Sequence, residues 1–573
     1  MKLPLLGGLA CALLCLLVGV SLLGVRHPHE DAYILYRYAE HLAGGHGIVW
    51  NLQGPRCEGA TDFLWLVLLA GAVRAGLDVA LAAALLNALG AGLLGGLLVR
   101  AAGRGALALA ALAVPFSGAA LAAHLGFSTL LYAALAGLAF AVLVDGRGRA
   151  VCALPVLGLL LALFRPDGVL LGFAFAALGS APARSTGQGG RYARAALLCG
   201  LVAAAYFAWR WSYFGLLLPL PLYVKSQPNL APEALPLWLP LGLRALAATA
   251  LQGAGSSLRW LASGQGPLPL LAALALMSLR LRRVRPGELA RPLLGLLPGL
   301  VLLVGLLPVF PSQNVAFRFQ APVFVLLVLA LATLAARLAA AEPGRAARAL
   351  AVLVALAALA PSTHFGVQRV AALWAGEGRE YMDVLAPELG ARLGPEQRVA
   401  LTEAGRLAYW SRAHVWDVAG LNDPQTARTP PTLAGLRAWA PDVVMFHHAD
   451  VLDPAQLLGA APREPVVELA PDALRTALRE PYRRLYAPGV SSYADAGGRA
   501  RFVAPVVLAR FLAESGDAYA LFAVDYRGSG HYRHIWGVRP ELLPRAELRE
   551  LLLRATQLEG YRSYLEQKRA PGR

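Results

Sequence analysis

The residues best suited to chemistry open with an acidic pair just after an apolar run, in His29-Glu30-Asp31-Ala32-Tyr33-Ile34-Leu35-Tyr36-Arg37-Tyr38. Adjacent carboxylates can take a proton from an attacking hydroxyl or hold a divalent cation. The same pair also suits a solvated helix start, where acids face the positive end of the dipole. The stretch continues through Gly44-Gly45-His46-Gly47 and Cys57-Glu58-Gly59-Ala60-Thr61-Asp62, which adds a third acid in Glu58. Cations able to face a phosphate are Arg37, Arg165 in Phe164-Arg165-Pro166-Asp167-Gly168, Lys225 after Tyr223-Val224, and Arg318. Lysine offers a point charge, whereas arginine can engage two oxygens at once. Each cation also has a structural reading: a helix-end cap for Arg165, a clamp to Glu40 or Glu30 for Arg37, and a headgroup contact for Lys225. His46 and His124 lack ligand spacing, so no metal is assigned to them. The run His447-His448-Ala449-Asp450 has metal-like spacing but follows a strand-like Val443–Phe446, and is read as structural.

Something must hold these residues at a membrane. The 573 residues are 57% hydrophobic and only 15% charged, with a mean hydropathy of +0.54. Soluble domains carry about 25% charged residues, so this balance excludes an ordinary cytosolic enzyme, and abundant apolar surface excludes disorder. The net charge of +17 does not point to nucleic acid, because the arginines lie between apolar runs, where they set topology. The run from Leu3 to Val25 exceeds the apolar core of a signal peptide and lacks a small-residue cleavage site. It is expected to be an uncleaved first span with a cytoplasmic amino end. Further spans are expected at 79–99, 105–123, 126–144, 150–164, 168–181, 195–214, 267–281, 292–310, 320–339 and 347–361. Segment 63–77 is read as a helix lying along the membrane surface.

With that assignment the basic clusters fall on one side: Arg100 and Arg104; Arg147 and Arg149; Arg184, Arg191 and Arg194; Arg280 to Arg291; Arg337, Arg345 and Arg348. This is the positive-inside pattern. Segments 26–78, 165–167, 212–266 and 311–319 are then external, as is everything after about Pro361. The expected fold class is a polytopic α-helical membrane protein of about 11 transmembrane helices with a C-terminal extracytoplasmic α/β domain. Residues 1–361 would form the membrane domain, with a large first external loop at 26–78. Residues 362–573 would form the α/β domain, with strands such as Val399–Leu401 and helices such as Glu541–Ala555. Cys11, Cys15, Cys152 and Cys199 lie in apolar runs, so no disulfide framework is expected.

The first loop resembles that of the GT-C glycosyltransferases that use polyprenyl-phosphate sugars, most closely the mycobacterial terminal β-(1→2)-arabinofuranosyltransferase family. That loop typically carries an acidic pair before Ala-Tyr-Ile, an Arg-Tyr, a Gly-His-Gly and a Glu-Gly-Tyr-Thr ahead of an aromatic surface helix. Further matches follow in order: Arg165-Pro166-Asp167-Gly168, Tyr213-Phe214-Gly215 with Leu218-Pro219 and Tyr223-Val224-Lys225, and Arg318-Phe319. Thr402-Glu403-Ala404-Gly405, Tyr409 and Asp417-Val418-Ala419-Gly420-Leu421-Asn422-Asp423-Pro424 close the series. Departures are Glu-Asp where the family more often has Asp-Asp, Ser128 where relatives carry an acid, and Leu220 or Pro221 in place of Asn.

The resemblance implies a GT-C fold and transfer of a sugar, arabinofuranose in that family, from a polyprenyl-phosphate donor to a cell-envelope glycan or glycolipid. The displacement would be inverting, with or without a metal, and a divalent cation (Mg, Mn or Ca) is the only cofactor considered. Glu30, Asp31 and Glu58 would be catalytic, and Lys225, Arg318, Arg37 and Arg165 would bind the donor phosphate. His46, Tyr223 and Tyr33 would contact acceptor or sugar. The protein would sit in a bacterial inner membrane, with the lipid bilayer and no nucleic acid as partner. A transporter or lipid flippase, or a non-catalytic envelope-glycan assembly protein, would share the spans. A transporter, however, should carry its ionisable residues near the midplane in paired halves. The topology is tested by reporter fusions: one after Arg285 should read cytoplasmic and one after Arg369 external. A cytoplasmic signal from the second contradicts the assignment.

Overall fold

The computed structural model describes residues 2–570 apart from 103–110, 112, 147, 226–241, 266, 308–313, 343, 430, 448–450, 459–463, 481, 484–502 and 526–531. Two compact units emerge. The first comprises residues 1–23, 62–215 and 247–377, and the second residues 24–61, 216–246 and 378–573.

The first unit is helical. Among the described residues, six helices are long and apolar enough to cross a membrane: Lys2–Leu23, Val79–Ala102, Gly189–Phe214, Pro286–Gly305, Val315–Ala341 and Arg345–Trp374. The runs expected at 126–144 and 150–164 form shorter helices, Thr129–Asp145 and Leu154–Phe164. The second of these continues a 3-10 segment, Gly148–Ala153, and the described residues do not confirm a count of about 11 spans. Most of the run at 105–123 lies outside the described residues, with Gly118–His124 helical at its end. Phe63–Arg74 is a 12-residue apolar helix. Small residues set two close helix crossings. A β-carbon at Gly8 would meet the Gly92 carbonyl, and one at Gly158 would meet that of Gly172. Both crossings follow the small-residue logic of helices packed in lipid. Between Val79–Ala102, Thr129–Asp145 and Ala321–Ala341 lies a small, almost wholly apolar cavity lined by Leu94, Leu98, Leu130, Phe324 and Val328 among others.

Charge in this unit collects at helix ends. At one end Arg100 pairs with Asp145, Arg285 with Glu288 at 3.3 Å, and Arg337 with Glu288. These include arginines of three of the clusters that the charge pattern groups on one side.

The second unit is a six-stranded sheet flanked by helices. Its strands are β1 Arg398–Leu401, β2 His414–Asp417, β3 Val443–His447, β4 Val466–Glu468, β5 Ala520–Asp525 and β6 Tyr532–Val538. Their order is β2-β1-β3-β6-β5-β4. β1 is parallel to β2 and β3, and the remaining pairs are antiparallel. Buried central strands read as continuous apolar runs rather than alternating ones. Val443–Phe446 and Ala520–Val524 do so, and all nine of these residues are buried. The expected Glu541–Ala555 helix forms at Arg545–Thr556. Gly242–Leu261, 20 residues with a mean hydropathy too low to stand out from an external loop, is also helical, and most of it belongs to the first unit. The Glu30–Ala43 helix belongs to this unit. Next to it, Asn51 bonds both backbone groups of Val415 at 2.9 Å, which covers the otherwise open edge of β2.

Candidate functional site

The acidic pair divides in two directions because neighbouring helix positions point about 100° apart. Glu30 turns into the second unit. Its carboxylate accepts the Gly405 N–H at 2.6 Å and the Arg406 N–H at 3.0 and 3.1 Å, and the Arg406 guanidinium lies 3.6 Å away. A β-carbon at position 405 would strike Glu30, so only glycine allows this approach. Arg406 is buried and also pairs with Glu380 and, at 3.0 Å, with Asp383. Burial pushes the Glu30 carboxyl up, opposed by Arg406 and the two N–H donors. Its oxygens are engaged by backbone and guanidinium, which is the geometry of an anchor. Asp31 heads the same helix one position on, with its N–H donated to His29 Nδ1 at 3.2 Å, so that His29 caps the helix.

Arg37 corrects an expectation. All five of its N–H groups are used: Nε on the Trp50 carbonyl at 2.8 Å, Nη1 on Ala408 and Ser411, and Nη2 on Asn51 and Ala413. It therefore clamps the 408–413 backbone and has no donor left for a phosphate. Its partners are carbonyls rather than Glu30 or Glu40. Burial lowers its pKa to about 10. Tyr33 is corrected likewise. It is fully buried, with its hydroxyl 2.7 Å from His27 Nδ1 and its ring against Tyr36, Tyr409 and Trp410, so it presents no surface to a sugar.

Glu58 is buried in a segment held at both sides. Cys57 N–H meets the Ile48 carbonyl at 3.3 Å, and Gly59 N–H meets the Tyr38 hydroxyl at 3.2 Å. Gly59 also abuts Asn422, which leaves no space for a β-carbon. Asn422 in turn donates to Asp417 from its backbone at 2.9 Å and its side chain at 2.8 Å. The Asp417–Asp423 block is thus a self-bonded turn against which the first loop rests. Tyr223 is buried with Cys57, Leu216, Leu220 and Ala427, and its hydroxyl accepts the Leu218 N–H at 3.2 Å. Lys225 ends the Leu220–Lys225 helix, and its side chain lies outside the described residues. His46 is exposed, between Gly45 and Gly47, both at positive φ (85° and 82°).

Arg165 and Arg318 lie in the first unit, where the structure gathers groups that sequence reasoning did not select. Asp62 accepts the Ser128 hydroxyl at 2.6 Å and Arg165 Nη1 at 3.1 Å, while Arg165 Nε meets Asp167 at 2.9 Å. The Arg165 guanidinium stands 5.3 Å from the Phe319 ring, as does that of Arg318, which also stacks on Phe127 at 4.0 Å. Ser128 precedes the Thr129–Asp145 helix, whereas Arg100 pairs with Asp145 at its far end. Seventeen residues of helix separate the two charged groups by about 25 Å. The available signal for Asp62 was its place directly before the Phe63–Arg74 helix, together with Ser128 at a position where the resembled family carries an acid.

A family model described as a domain of unknown function (DUF8728) matches residues 372–502. No curated protein matches the chain. Among solved structures the chain is similar to the arabinofuranosyltransferase AftD from mycobacteria, with 18% identity and a TM-score of 0.45. That likeness covers 80% of this chain and 37% of AftD, so the chain spans little more than a third of AftD. It is similar also to ArnT from Cupriavidus metallidurans bound to undecaprenyl phosphate, with 14% identity, a TM-score of 0.46, and coverage of 80% of this chain and 94% of ArnT. A third is the oligosaccharyltransferase of Archaeoglobus fulgidus, with 13% identity, a TM-score of 0.41, and coverage of 78% and 68%. These are GT-C fold glycosyltransferases. Likeness of this degree leaves sugar and acceptor to the chain's own residues.

The anchor has a measurable consequence. Glu30→Gln keeps an oxygen for the two N–H donors but removes the charge facing Arg406. The expected loss is about 1–3 kcal/mol, read as a lower midpoint of thermal unfolding for the purified protein. An unchanged midpoint contradicts the anchoring role.

Proposed function

We propose that the chain is a GT-C-type membrane glycosyltransferase that moves a sugar from a polyprenyl-phosphate donor to a cell-envelope glycan or glycolipid on the external face of a bacterial inner membrane. Arabinofuranose is the sugar that the loop motifs favour. The acceptor oxygen attacks the anomeric carbon, the bond from that carbon to the phosphate oxygen breaks with its electron pair, and polyprenyl phosphate leaves. The hydroxyl proton passes to a carboxylate, and we assign that role to Asp31. The observation that carries this choice is the capture of Glu30 by the 405–406 backbone, which makes Glu30 a positioning residue and fixes the helix that Asp31 heads.

The leaving phosphate needs fixed positive charge where water is scarce. Lys225, in the same compact unit as Asp31, serves this purpose. Arg165, held by Asp62 and Asp167, positions the turn beside Phe319 and Arg318. Glu58 orients a sugar hydroxyl. A transporter is disfavoured because the described charged groups of the helical unit collect at helix ends.

Asp31→Asn is the decisive variant. With a defined polyprenyl-phosphate sugar, turnover should fall by roughly 10²–10⁴-fold, as for a lost general base, while donor binding is retained. Wild-type turnover in this variant would refute the assignment. Compositional analysis of envelope glycans with and without the protein names the sugar by the terminal residue that disappears.

A further inference from the structure

Away from the acidic loop, three ligand side chains converge in the second unit. Glu403 follows β1 by two residues, His447 ends β3, and His534 lies on β6 directly opposite His447. Their donor atoms lie within 4.8 Å of one another. The His447 and His534 rings are 5.4 Å apart at 78°, and His534 Nε2 stands 3.2 Å from Glu403 Oε1.

The place matters as much as the residues. β1 is parallel to both β2 and β3, which lie on opposite sides of it. The chain therefore leaves β1 in one direction to reach β2 and returns past it to reach β3. The crevice outside the carboxyl ends of β1 and β3 is a topological switch point, where open α/β sheets bind ligands. Glu403 and His447 stand at those two carboxyl ends. The loop is also tied to β3: the Thr402 hydroxyl accepts the His447 N–H at 2.9 Å, and the Thr402 N–H meets the Met445 carbonyl at 3.2 Å.

We propose that Glu403, His447 and His534 form a three-ligand site for a divalent cation of the Zn2+ class. Two imidazoles and one carboxylate, with a fourth position open to water, form a donor set that suits Zn2+, whereas Mg2+ and Ca2+ prefer all-oxygen shells. Bonds of about 2.0–2.2 Å require the three donors to draw together from their present spacing, a movement within the reach of side-chain torsions at Glu403 and His447. Metal-binding histidines are oriented through their other nitrogen. His534 has this support: Nδ1 bonds the Tyr381 hydroxyl, which also accepts the Trp536 indole N–H at 3.0 Å. This leaves Nε2 aimed at Glu403. The loop that begins at Thr402 continues to Gly405 and Arg406, whose N–H groups hold Glu30. A cation here staples the floor on which the Glu30–Ala43 helix is anchored. The proposal does not depend on which sugar, if any, the protein transfers.

The test uses the full-length protein in detergent, free of any histidine tag, stripped with a chelator and titrated with Co2+ as a spectroscopic stand-in for Zn2+. One Co2+ per chain should bind, with the visible absorption of a four- or five-coordinate centre. Glu403→Gln and His447→Ala should each weaken binding at least tenfold while far-ultraviolet circular dichroism stays unchanged. No stoichiometric Co2+ in the wild type, or equal binding in the double variant, overturns the site. If a variant fails to fold, X-ray absorption of the wild-type Co2+ protein decides instead: two imidazoles in the first shell support the site, and none or one overturns it.

Discussion

A guanidinium taken out of water must be met by carboxylates or it destabilises the fold by several kcal/mol. Arg406 is 3% exposed and is met by three: Glu30, Glu380 and Asp383. Two of these precede the first strand of the α/β sheet, and the third comes from the first polar loop, more than 370 positions earlier. That requirement folds residues 24–61 into the same compact unit as residues 378–573. Arg37, seven positions on and on the same face of the helix, reinforces it with five bonds, four of them to backbone carbonyls. The loop's position is thus determined by charge and hydrogen-bond satisfaction, with a cluster of buried aromatic rings around Tyr33 and Trp410 filling the space between.

This constraint sorts the conspicuous residues of the loop. Groups whose bonding is completed by the 405–413 backbone, Glu30 and Arg37, hold the scaffold. Asp31 is carried by that scaffold at a helix start. A single motif of ten residues therefore contains an anchor, a candidate base and a clamp, and their roles follow from which way each position faces on one helix.

Much of the architecture was legible because it rests on local periodicity. Val443–Phe446 reads as a buried strand, Glu541–Ala555 as a helix, and the apolar runs at 79–99 and 320–339 as long helices, and each is found within a few residues of its expected place. Partners distant in the chain were not legible. Nothing near Arg37 announces that Ala408, Ser411 and Ala413 will supply its acceptors, because backbone carbonyls carry no sequence signal. Asp62 and Arg165 meet across 103 positions. The metal-like spacing at His447 drew attention to His448 and Asp450, which lie outside the described residues, whereas the neighbour brought to His447 by strand pairing is His534. The Gly242–Leu261 helix does not stand out in the sequence because its small and polar residues dilute its hydropathy.

The central claim is that Glu30 is an acceptor committed to the amides of Gly405 and Arg406. Hydrogen exchange at those two amides, read by mass spectrometry on peptides spanning 402–410, tests it most directly. In the wild type both should exchange as slowly as the amides of β1, and Glu30→Ala, which removes the acceptor, should speed them selectively. Fast, loop-like exchange at both amides in the wild-type protein would contradict the account.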